Sequence, residues 1–329
     1  MKVLIRTDGS ALIGNGHMFR MIALADELIA RNISVKFLIK KDDYWINKLK
    51  KNYKVIKCDE KNTILFNLIK IDNTTHFIYD TRNDLDVKDF VKIKKLNNQL
   101  KIIVNDSPEE IRKYCDIFLS PPITQIKDWD WTGFNGSIYS DWEYVMIRKE
   151  FHQTQSRKKS NKVLLSFGST DPFCITEKVL DLLCKKDNKL KHYEFILIVG
   201  PQFARTKKIK SSSSFKSLNI EIIKSPSNIE KLFNSVSFAI ISFGVTAYEL
   251  SLLKVPFMSI SISNDHEESS NLFVKNNLSN SLGLIDSFEL NFYNIAINFL
   301  NDLETKKISL DNFNNKISDW NKIINVITN

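Results

Sequence analysis

The sequence predicts a two-domain α/β protein with parallel sheets, on three observations. The chain has 329 residues, which is long for one hydrophobic core, so two domains are expected. Apolar runs of strand length alternate with helical stretches, a pattern typical of parallel sheets that carry helices on both faces. The alternation stops once, in a polar and basic stretch near the middle of the chain, and then begins again.

The first half contains apolar runs that we predict to be strands. They are Lys2–Arg6, Val35–Ile39, Thr75–Asp80 and Lys101–Asp106. The loop Thr7–His17 follows the first run and leads into a helix that ends at about Arg31. The strands end in polar side chains, and open α/β sheets bind their ligands at the carboxyl ends of the strands.

The stretch Asp141–Lys162 interrupts this order and is predicted to link a domain of residues 1–155 to one of residues 156–329. The strands and helices of the second half follow in order. Predicted strands are Val163–Phe167, Phe195–Val199, Ile220–Ile223, Phe238–Ser242 and Phe257–Ile262; predicted helices run from the Gly168–Pro172 loop to Cys184, over Asn228–Asn234 and Thr246–Lys254, and onward from Glu267. Leu290–Thr328 is predicted as a helical tail of the second domain. Two Rossmann-like domains with a central cleft between them favour the GT-B fold.

The net charge of +9 and the pI near 9.1 raise the question of a nucleic-acid partner. Lysines cluster at Lys207, Lys208 and Lys210, but no recognition helix, zinc finger or aromatic RNA-binding signature accompanies them. A solvated lysine-rich surface is therefore the favoured interpretation, and no nucleic-acid partner is expected. A basic surface also suits an anionic small substrate or an anionic membrane face.

Targeting and redox signals point to the cytoplasm. The apolar run at the N-terminus is too short for a signal peptide, and no stretch approaches the roughly 20 apolar residues that cross a bilayer. The four cysteines show no C-x-x-C pair and no spacing typical of metal ligands. We predict a cytoplasmic protein with reduced thiols, no metal site and no cofactor.

The first candidate site is Asp8-Gly-Ser-Ala-Leu-Ile-Gly-Asn-Gly-His17-Met-Phe-Arg20. Gly14 and Gly16 allow close approach of the backbone to a ligand, and the following helix offers free N–H groups to anions. Phe19 occupies the third glycine position of a dinucleotide fingerprint, so that interpretation is poorly supported. His17 lies where the loop becomes the helix, as a general base or as a capping or packed histidine. Asp8 is a candidate to orient its imidazole, and Arg20 is a candidate substrate-binding residue.

The second candidate is Ser166-Phe-Gly-Ser-Thr-Asp171-Pro172, at the end of a predicted strand. Gly168, Ser169 and Thr170 can present backbone and hydroxyl donors to a phosphate. The alternative is an ordinary strand–turn–helix connection in which Asp171 is the N-cap of the helix.

The third candidate is Ile241-Ser-Phe-Gly-Val-Thr-Ala-Tyr-Glu-Leu. In the functional interpretation, the helix N-terminus at Gly244, Val245 and Thr246 faces a diphosphate, and Glu249 accepts hydrogen bonds from a ribose. In the structural interpretation, Thr246 and Glu249 form a capping box. His266 follows the next strand and is a weaker candidate.

With these motifs, the chain resembles the family of UDP-2,4-diacetamido-2,4,6-trideoxy-β-L-altropyranose hydrolases of pseudaminic-acid biosynthesis, which includes spore-coat SpsG-like proteins. The resemblance covers most of residues 1–290 and rests on the N-terminal Lys-Val-Leu-Ile-Arg-Thr-Asp, on Ile-Gly-x-Gly-His and on Gly-Ser-Thr-Asp-Pro. Ser-Phe-Gly-Val-Thr-Ala-Tyr-Glu is also similar to the nucleotide-site motif of MurG-like glycosyltransferases. The resemblance implies a GT-B fold, UDP held mainly by the C-terminal half, and His17 as the catalytic histidine.

The chain departs from the family at two positions that the resemblance places near the sugar. Asp80-Thr-Arg82 stands where family members often have Asp-His-Tyr, and Tyr248 stands where many have Asn. Three functions therefore remain open. The first is an inverting hydrolase of a UDP-sugar, with other enzymes of its pathway as possible partners. The second is a glycosyltransferase whose anionic acceptor binds Arg82, and the third is a nucleotide-sugar binding protein without turnover.

Overall fold

A computed structural model describes residues 1–9, 14–40, 43–153, 160–185, 189–308, 310 and 316–329. Parts of three segments discussed above lie outside these ranges: residues 10–13 of the Thr7–His17 loop, residues 154–159 of the polar linker, and residues 309 and 311–315 of the tail. The chain divides into two units. Unit 1 is Met1–Arg148 together with Asn315–Asn329, and unit 2 is Lys149–Asn314.

Unit 1 contains a sheet of seven parallel strands. In chain order they are β1 Lys2–Thr7, β2 Ser34–Ile39, β3 Lys54–Lys57, β4 His76–Asp80, β5 Lys101–Asn105, β6 Ile117–Ser120 and β7 Ser137–Ser140. Their order across the sheet is β3-β2-β1-β4-β5-β6-β7, and every neighbouring pair is parallel. The chain thus reverses direction across the sheet between β1 and β4, and open α/β sheets bind ligands at such a point.

Helices cover both faces of this sheet, since parallel strands are joined by crossovers. They are α1 Gly16–Ile29, α2 Asp43–Leu49, α3 Thr63–Ile71 and α4 Val87–Leu96, with short 3₁₀ helices at Glu110–Tyr114, Thr124–Lys127 and Trp142–Tyr144. One core cluster contains Ile5, Leu24 and Phe37, and a second contains Leu4, Phe77 and Phe90. Because Leu4 and Ile5 are adjacent on β1, the two clusters lie on opposite faces of the sheet.

Unit 2 contains a sheet of six parallel strands. They are β8 Lys162–Ser166, β9 Glu194–Val199, β10 Ile220–Lys224, β11 Phe238–Ser242, β12 Phe257–Ser261 and β13 Ser279–Leu284. Their order is β10-β9-β8-β11-β12-β13, which is the Rossmann order with its reversal between β8 and β11. The helices of this unit follow. They are α5 Ile175–Leu183, α6 Thr206–Ser211, α7 Ser213–Ser217, α8 Ile229–Asn234, α9 Val245–Leu252, α10 Asn264–Lys275 and α11 Phe288–Glu304, with 3₁₀ helices at Lys149–His152 and Lys189–His192.

The last helix, α12 (Trp320–Thr328), corrects the predicted domain boundaries. The sequence interpretation places the whole tail in a domain of residues 156–329, whereas α12 belongs to unit 1. Its apolar side chains Trp320, Ile323, Ile324 and Ile327 belong to the core cluster that contains α1. Burial of this stripe decides where α12 packs, and a single-sequence pattern does not reveal which core an amphipathic helix joins. No helix within the described ranges is long and apolar enough to cross a membrane.

Replacing Ile323 by alanine is expected to destabilise unit 1 by about 2–5 kcal/mol, because the side chain is fully buried and its removal leaves a cavity. The measurement is urea unfolding followed by tryptophan fluorescence. That signal reports on unit 1 alone, since all five tryptophans belong to it: Trp45, Trp129, Trp131, Trp142 and Trp320. The control is Asn325→Ala on the exposed face of α12, expected to change stability by no more than about 0.5 kcal/mol. Equal effects of the two variants would contradict the packing of α12 on unit 1.

Candidate functional site

His17 lies in the first turn of α1, directly beyond the strand-order reversal of unit 1. The helix begins at Gly16, and its N-cap residue Asn15 makes no side-chain capping hydrogen bond. The side chain of His17 is 14% exposed, so the ring is largely buried but reachable by a ligand. His17 is therefore not the capping residue of α1.

Asp80 holds the imidazole of His17. Asp80 is the last residue of β4 and is fully buried. Its Oδ1 lies 2.9 Å from Nδ1 of His17. Burial alone would raise the pKa of this carboxyl, but the charges of Arg20 and His17 outweigh burial and hold it well below its usual range. Asp80 is thus ionised and can only accept hydrogen bonds. We assign the Nδ1 hydrogen of His17 to this bond, which leaves the Nε2 lone pair able to take a proton.

Arg20 connects this pair to a second carboxylate, and its role in substrate binding remains a prediction. Its Nε donates to Asp80 Oδ2 at 2.7 Å, its Nη2 donates to Asp80 Oδ1, and its Nη1 donates to Asp106 Oδ2 at 2.7 Å. Nη2 also lies 2.8 Å from Nδ1 of His17. Since a carboxylate accepts more strongly than an imidazole nitrogen, Nη2 and Nδ1 both donate to Asp80. All three guanidinium nitrogens thus donate to the carboxylates of Asp80 and Asp106.

Asp8 does not orient the imidazole, contrary to the sequence prediction. Its carboxylate accepts from the guanidinium of Arg6 and from the backbone N–H of Lys40 at 2.9 Å. Arg6 is fully buried and also donates from Nε to Asp84 Oδ2 at 2.9 Å. Asp84 in turn accepts from Nζ of Lys40 at 2.9 Å. Arg6, Asp8, Lys40 and Asp84 thus form an ion network that does not include His17. The network pairs the guanidinium of Arg6, which would be costly to bury without a partner.

Asp106 was missed as a candidate by the sequence analysis. It follows β5 and joins the cluster by accepting from Arg20, while its Oδ2 also lies 3.8 Å from Nη2 of Arg82. Its backbone is in the left-handed region, with φ of 50°, and a non-glycine residue there is uncommon. The available signal was its place at the end of a predicted strand, the same place that Asp80 has on β4.

Gly14 and Gly16 flank the start of α1, as the sequence predicts. Gly14 has φ of 75°, a conformation that glycine adopts at little cost, and no described atom lies within 4 Å of the position that a Cβ would take. Binding of substrate by Gly14 and Gly16 remains a prediction.

In unit 2, Gly168, Ser169 and Thr170 follow β8, next to the strand-order reversal. Gly168 has φ of 83°, and the carbonyl of Ser169 accepts from the N–H of Gly200 at 2.9 Å, so the loop is fixed against the end of β9. Their binding of phosphate remains a prediction.

The N-terminus of the helix that follows this loop, α5, is already occupied. The carboxylate of Asp171 accepts from the N–H groups of Ile175 at 2.8 Å and Thr176 at 2.9 Å, and from Arg205 at 3.0 Å. Burial raises the pKa of Asp171, against the lowering effect of these donors. Asp171 is thus not the N-cap residue, which is Cys174, but its side chain accepts from the first two N–H groups of α5.

The N-terminus of α9 differs from that of α5, because its N-cap residue makes no side-chain capping hydrogen bond. The helix begins at Val245 with Gly244 at the N-cap, so Thr246 lies inside the first turn and cannot be the N-cap of a capping box. Among the residues that the structure describes, the N–H groups of Val245 and Thr246 have no acceptor. A Cβ on Gly244 would meet nothing within 4 Å. These features suit an anion, since a helix N-terminus carries free donors and a partial positive charge.

The remaining candidates of unit 2 surround α9. Glu249 is buried on α9 with 3% exposure, and Tyr248 is buried against Phe273, with ring centroids 5.0 Å apart. His266 lies in the first turn of α10, where its N–H donates to Ser263 at 3.3 Å, and its ring meets that of Phe243 edge-on at 5.9 Å. Tyr248 therefore has a core packing role, and the binding roles of Glu249 and His266 remain predictions.

Known proteins are similar to this chain in sequence and in fold. No family model matches the chain. It is 31% identical to an uncharacterised protein of Methanocaldococcus jannaschii over 273 residues, which cover 78% of this chain and 54% of that protein. The chain thus spans about half the length of that relative. It is 28% identical over 284 residues to the UDP-2,4-diacetamido-2,4,6-trideoxy-β-L-altropyranose hydrolase of Campylobacter jejuni, covering 84% of this chain and 97% of that enzyme.

Solved structures show the fold class. The chain is similar to Acinetobacter baumannii MurG (TM-score 0.62, 12% identity, covering 94% and 92% of the two chains) and to the spinosyn rhamnosyltransferase SpnG (0.65, 12%, 100% of both). It is also similar to the UDP-GlcNAc 2-epimerase of Neisseria meningitidis (0.63, 13%, 98% of both). The chain has the GT-B fold of two parallel-sheet α/β domains, and this part of the sequence prediction is confirmed.

Proposed function

We propose that this chain is an inverting nucleotide-sugar hydrolase that releases UDP from a UDP-linked 2,4-diacetamido-2,4,6-trideoxy sugar, in pseudaminic-type nonulosonic acid or surface-polysaccharide synthesis. The observation that carries the proposal is the pairing of His17 with an ionised, buried Asp80 at the strand-order reversal of unit 1. The similarity to the Campylobacter jejuni hydrolase, which extends over nearly all of that enzyme, supports the choice of substrate.

The chemistry requires one proton acceptor and one stabilised leaving group. Nε2 of His17 takes a proton from water while the water oxygen attacks the anomeric carbon. The bond between that carbon and the β-phosphate oxygen breaks, and its electron pair leaves with UDP. Asp80 stabilises the imidazolium that forms, as a carboxylate does in catalytic triads.

The leaving diphosphate is assigned to unit 2. The uncapped N-terminus of α9 offers N–H donors at Val245 and Thr246, and donors of the 168–170 loop add to them. Fixed donors aimed at developing charge are often the largest contribution to catalysis. Glu249 is assigned to the ribose hydroxyls, because a carboxylate accepts from two vicinal hydroxyls.

Replacing Gly244 by alanine is expected to weaken UDP binding roughly tenfold, about 1.4 kcal/mol, because the added methyl group stands in the open space at the N-terminus of α9. Folding should suffer by no more than about 1 kcal/mol, the cost of a poorer N-cap. Calorimetric titration with UDP measures the first effect. Asn228→Ala at the N-cap of α8 is the matched control and should leave UDP binding unchanged. Unaltered affinity in Gly244→Ala would place UDP elsewhere.

Glycosyl transfer is the second candidate, and one observation favours it. Arg82 contributes a charged side chain beside the His17 cluster, where an anionic acceptor could bind in place of water. Incubation with the UDP-linked diacetamido sugar and no acceptor separates the two functions. A hydrolase releases UDP and free sugar in equal amounts until the donor is exhausted, whereas a transferase releases little of either. Absence of both turnover and UDP binding would contradict both candidates.

A further inference from the structure

Arg82 lies two residues beyond Asp80, the last residue of β4. Its nearest carboxylate oxygen, Oδ2 of Asp106, is 3.8 Å from Nη2, beyond hydrogen-bond distance. Its Nη1 is buried and has no hydrogen-bond partner among the residues that the structure describes. Within the described part of the chain, the guanidinium of Arg82 donates no hydrogen bond.

The neighbouring arginines show that this is unusual for the site. Arg6 and Arg20 each donate from all three guanidinium nitrogens to carboxylates or carbonyls. Buried polar groups in native proteins nearly always have partners, and those that lack one need an explanation. The side chain of Arg82 is 28% exposed, so a ligand can reach the guanidinium.

The backbone and Arg20 fix the position of Asp106, the carboxylate nearest to Arg82. Asp106 is held in the left-handed region, and its N–H donates to the carbonyl of Leu119 at 2.7 Å. Within the described ranges, this carboxylate lies between Arg20 and Arg82 and accepts a hydrogen bond from Arg20 alone.

The charges of the cluster indicate what kind of group is missing. Arg20 and Arg82 contribute two positive charges, and Asp80 and Asp106 contribute two negative charges. The charges already balance, so the cluster lacks a hydrogen-bond acceptor rather than an anion. A neutral carbonyl oxygen meets that need without adding charge.

We propose that Arg82 is a specificity-determining residue that donates hydrogen bonds to the carbonyl oxygen of an acetamido group on the substrate's sugar. This inference rests on the proposed function and identifies the substrate feature that unit 1 recognises. A site built to donate to a substrate group rejects analogues that lack the group, because its own donors are then left unpaired.

The test is a binding series on the full chain carrying His17→Ala, so that no donor is consumed. The ligands are UDP, UDP-glucose, UDP-GlcNAc and the UDP-linked 2,4-diacetamido-2,4,6-trideoxy sugar, which carry zero, zero, one and two acetamido groups. UDP-glucuronic acid is the anionic comparison. We expect affinity to rise at least tenfold from UDP-glucose to the best acetamido ligand. Adding Arg82→Ala should abolish this rise and leave UDP affinity unchanged.

Two further variants separate a neutral acceptor from an anion. Arg82→Gln keeps an N–H donor without charge and should retain part of the preference, whereas Arg82→Lys keeps the charge. A preference for UDP-glucuronic acid that persists in Arg82→Lys would overturn the proposal in favour of an anionic group. An acetamido preference that is absent, or that survives Arg82→Ala, would overturn it as well. Failure of every ligand to bind, UDP included, would instead refute the proposed function. Tryptophan fluorescence verifies that unit 1 is folded in each variant.

Discussion

Replacing His17 by alanine is expected to lower kcat roughly 10²–10⁴-fold, the usual contribution of a general base. UDP affinity should not change, because the residues assigned to UDP belong to unit 2 and His17 belongs to unit 1. The measurement is steady-state UDP release combined with calorimetric titration of UDP. A loss of kcat without a loss of affinity is the signature of a group that acts on the reacting atoms.

The matched control is His76→Ala. His76 begins β4, at the opposite end of the strand from Asp80, and burial lowers its pKa. It is a second partly buried histidine of the same unit, and its removal should leave kcat within about twofold, since nothing assigns it to the reaction. Full activity in His17→Ala, or an equal loss in both variants, would remove His17 from the mechanism.

Replacing Asp80 by asparagine is expected to impair both catalysis and stability. Without the carboxylate, the imidazole loses the partner that fixes its tautomer, and the comparable change in a serine protease lowers kcat roughly 10⁴-fold. Arg20 also loses one of its two carboxylates in a buried setting, which costs about 3–5 kcal/mol. UDP release and fluorescence-detected unfolding measure the two effects.

Asp84→Asn separates the two effects of the Asp80 variant. Asp84 is also a buried carboxylate paired with a buried arginine in unit 1, but it contacts Arg6 and Lys40 instead of His17. This variant should be destabilised by a similar amount while the folded protein keeps its kcat. If Asp84→Asn loses as much kcat as Asp80→Asn, the loss reflects general damage to unit 1 and not the pairing of Asp80 with His17.

The stability effect of Asp80 should depend on pH with a defined sign. Because the pKa of Asp80 is lower in the folded chain than in the unfolded one, its ionised form stabilises the fold above the unfolded value of about 3.9. That contribution is lost as pH falls below this value. The difference in unfolding free energy between the wild type and Asp80→Asn should therefore be constant near neutral pH and shrink below about pH 4. A difference that grows on acidification would contradict the ion pair with Arg20.

The parallel sheets and the GT-B fold followed from the sequence because buried parallel strands are continuous apolar runs. Four strands were missed for the opposite reason. β3 and β7 are four-residue strands at the edge of their sheet, β6 has only four residues, and β13 (Ser279–Leu284) is polar and contains a glycine. Short or polar segments become strands through their neighbours, which local composition does not show.

Residues of the candidate site were selected from the sequence, but their connections were not. His17 was selected where a loop becomes a helix and Asp80 at the end of a predicted strand, but the imidazole was assigned to Asp8, which is nearer along the chain. The actual partner is 63 residues away, because β4 pairs with β1 across the reversal. The contacts of Arg20 were not predicted either, since its two carboxylate partners also lie far along the chain. Pairings of this kind depend on topology, whereas residue type and spacing reveal only candidates.

Hydrolysis in water labelled with ¹⁸O, followed by ¹H NMR and mass spectrometry, is the most direct test of the central claim. If His17 activates water that attacks the anomeric carbon, the label enters the free sugar, UDP stays unlabelled, and the first anomer seen has the inverted configuration. Label found in the phosphate of the nucleotide, or a first product of retained configuration, would contradict the account.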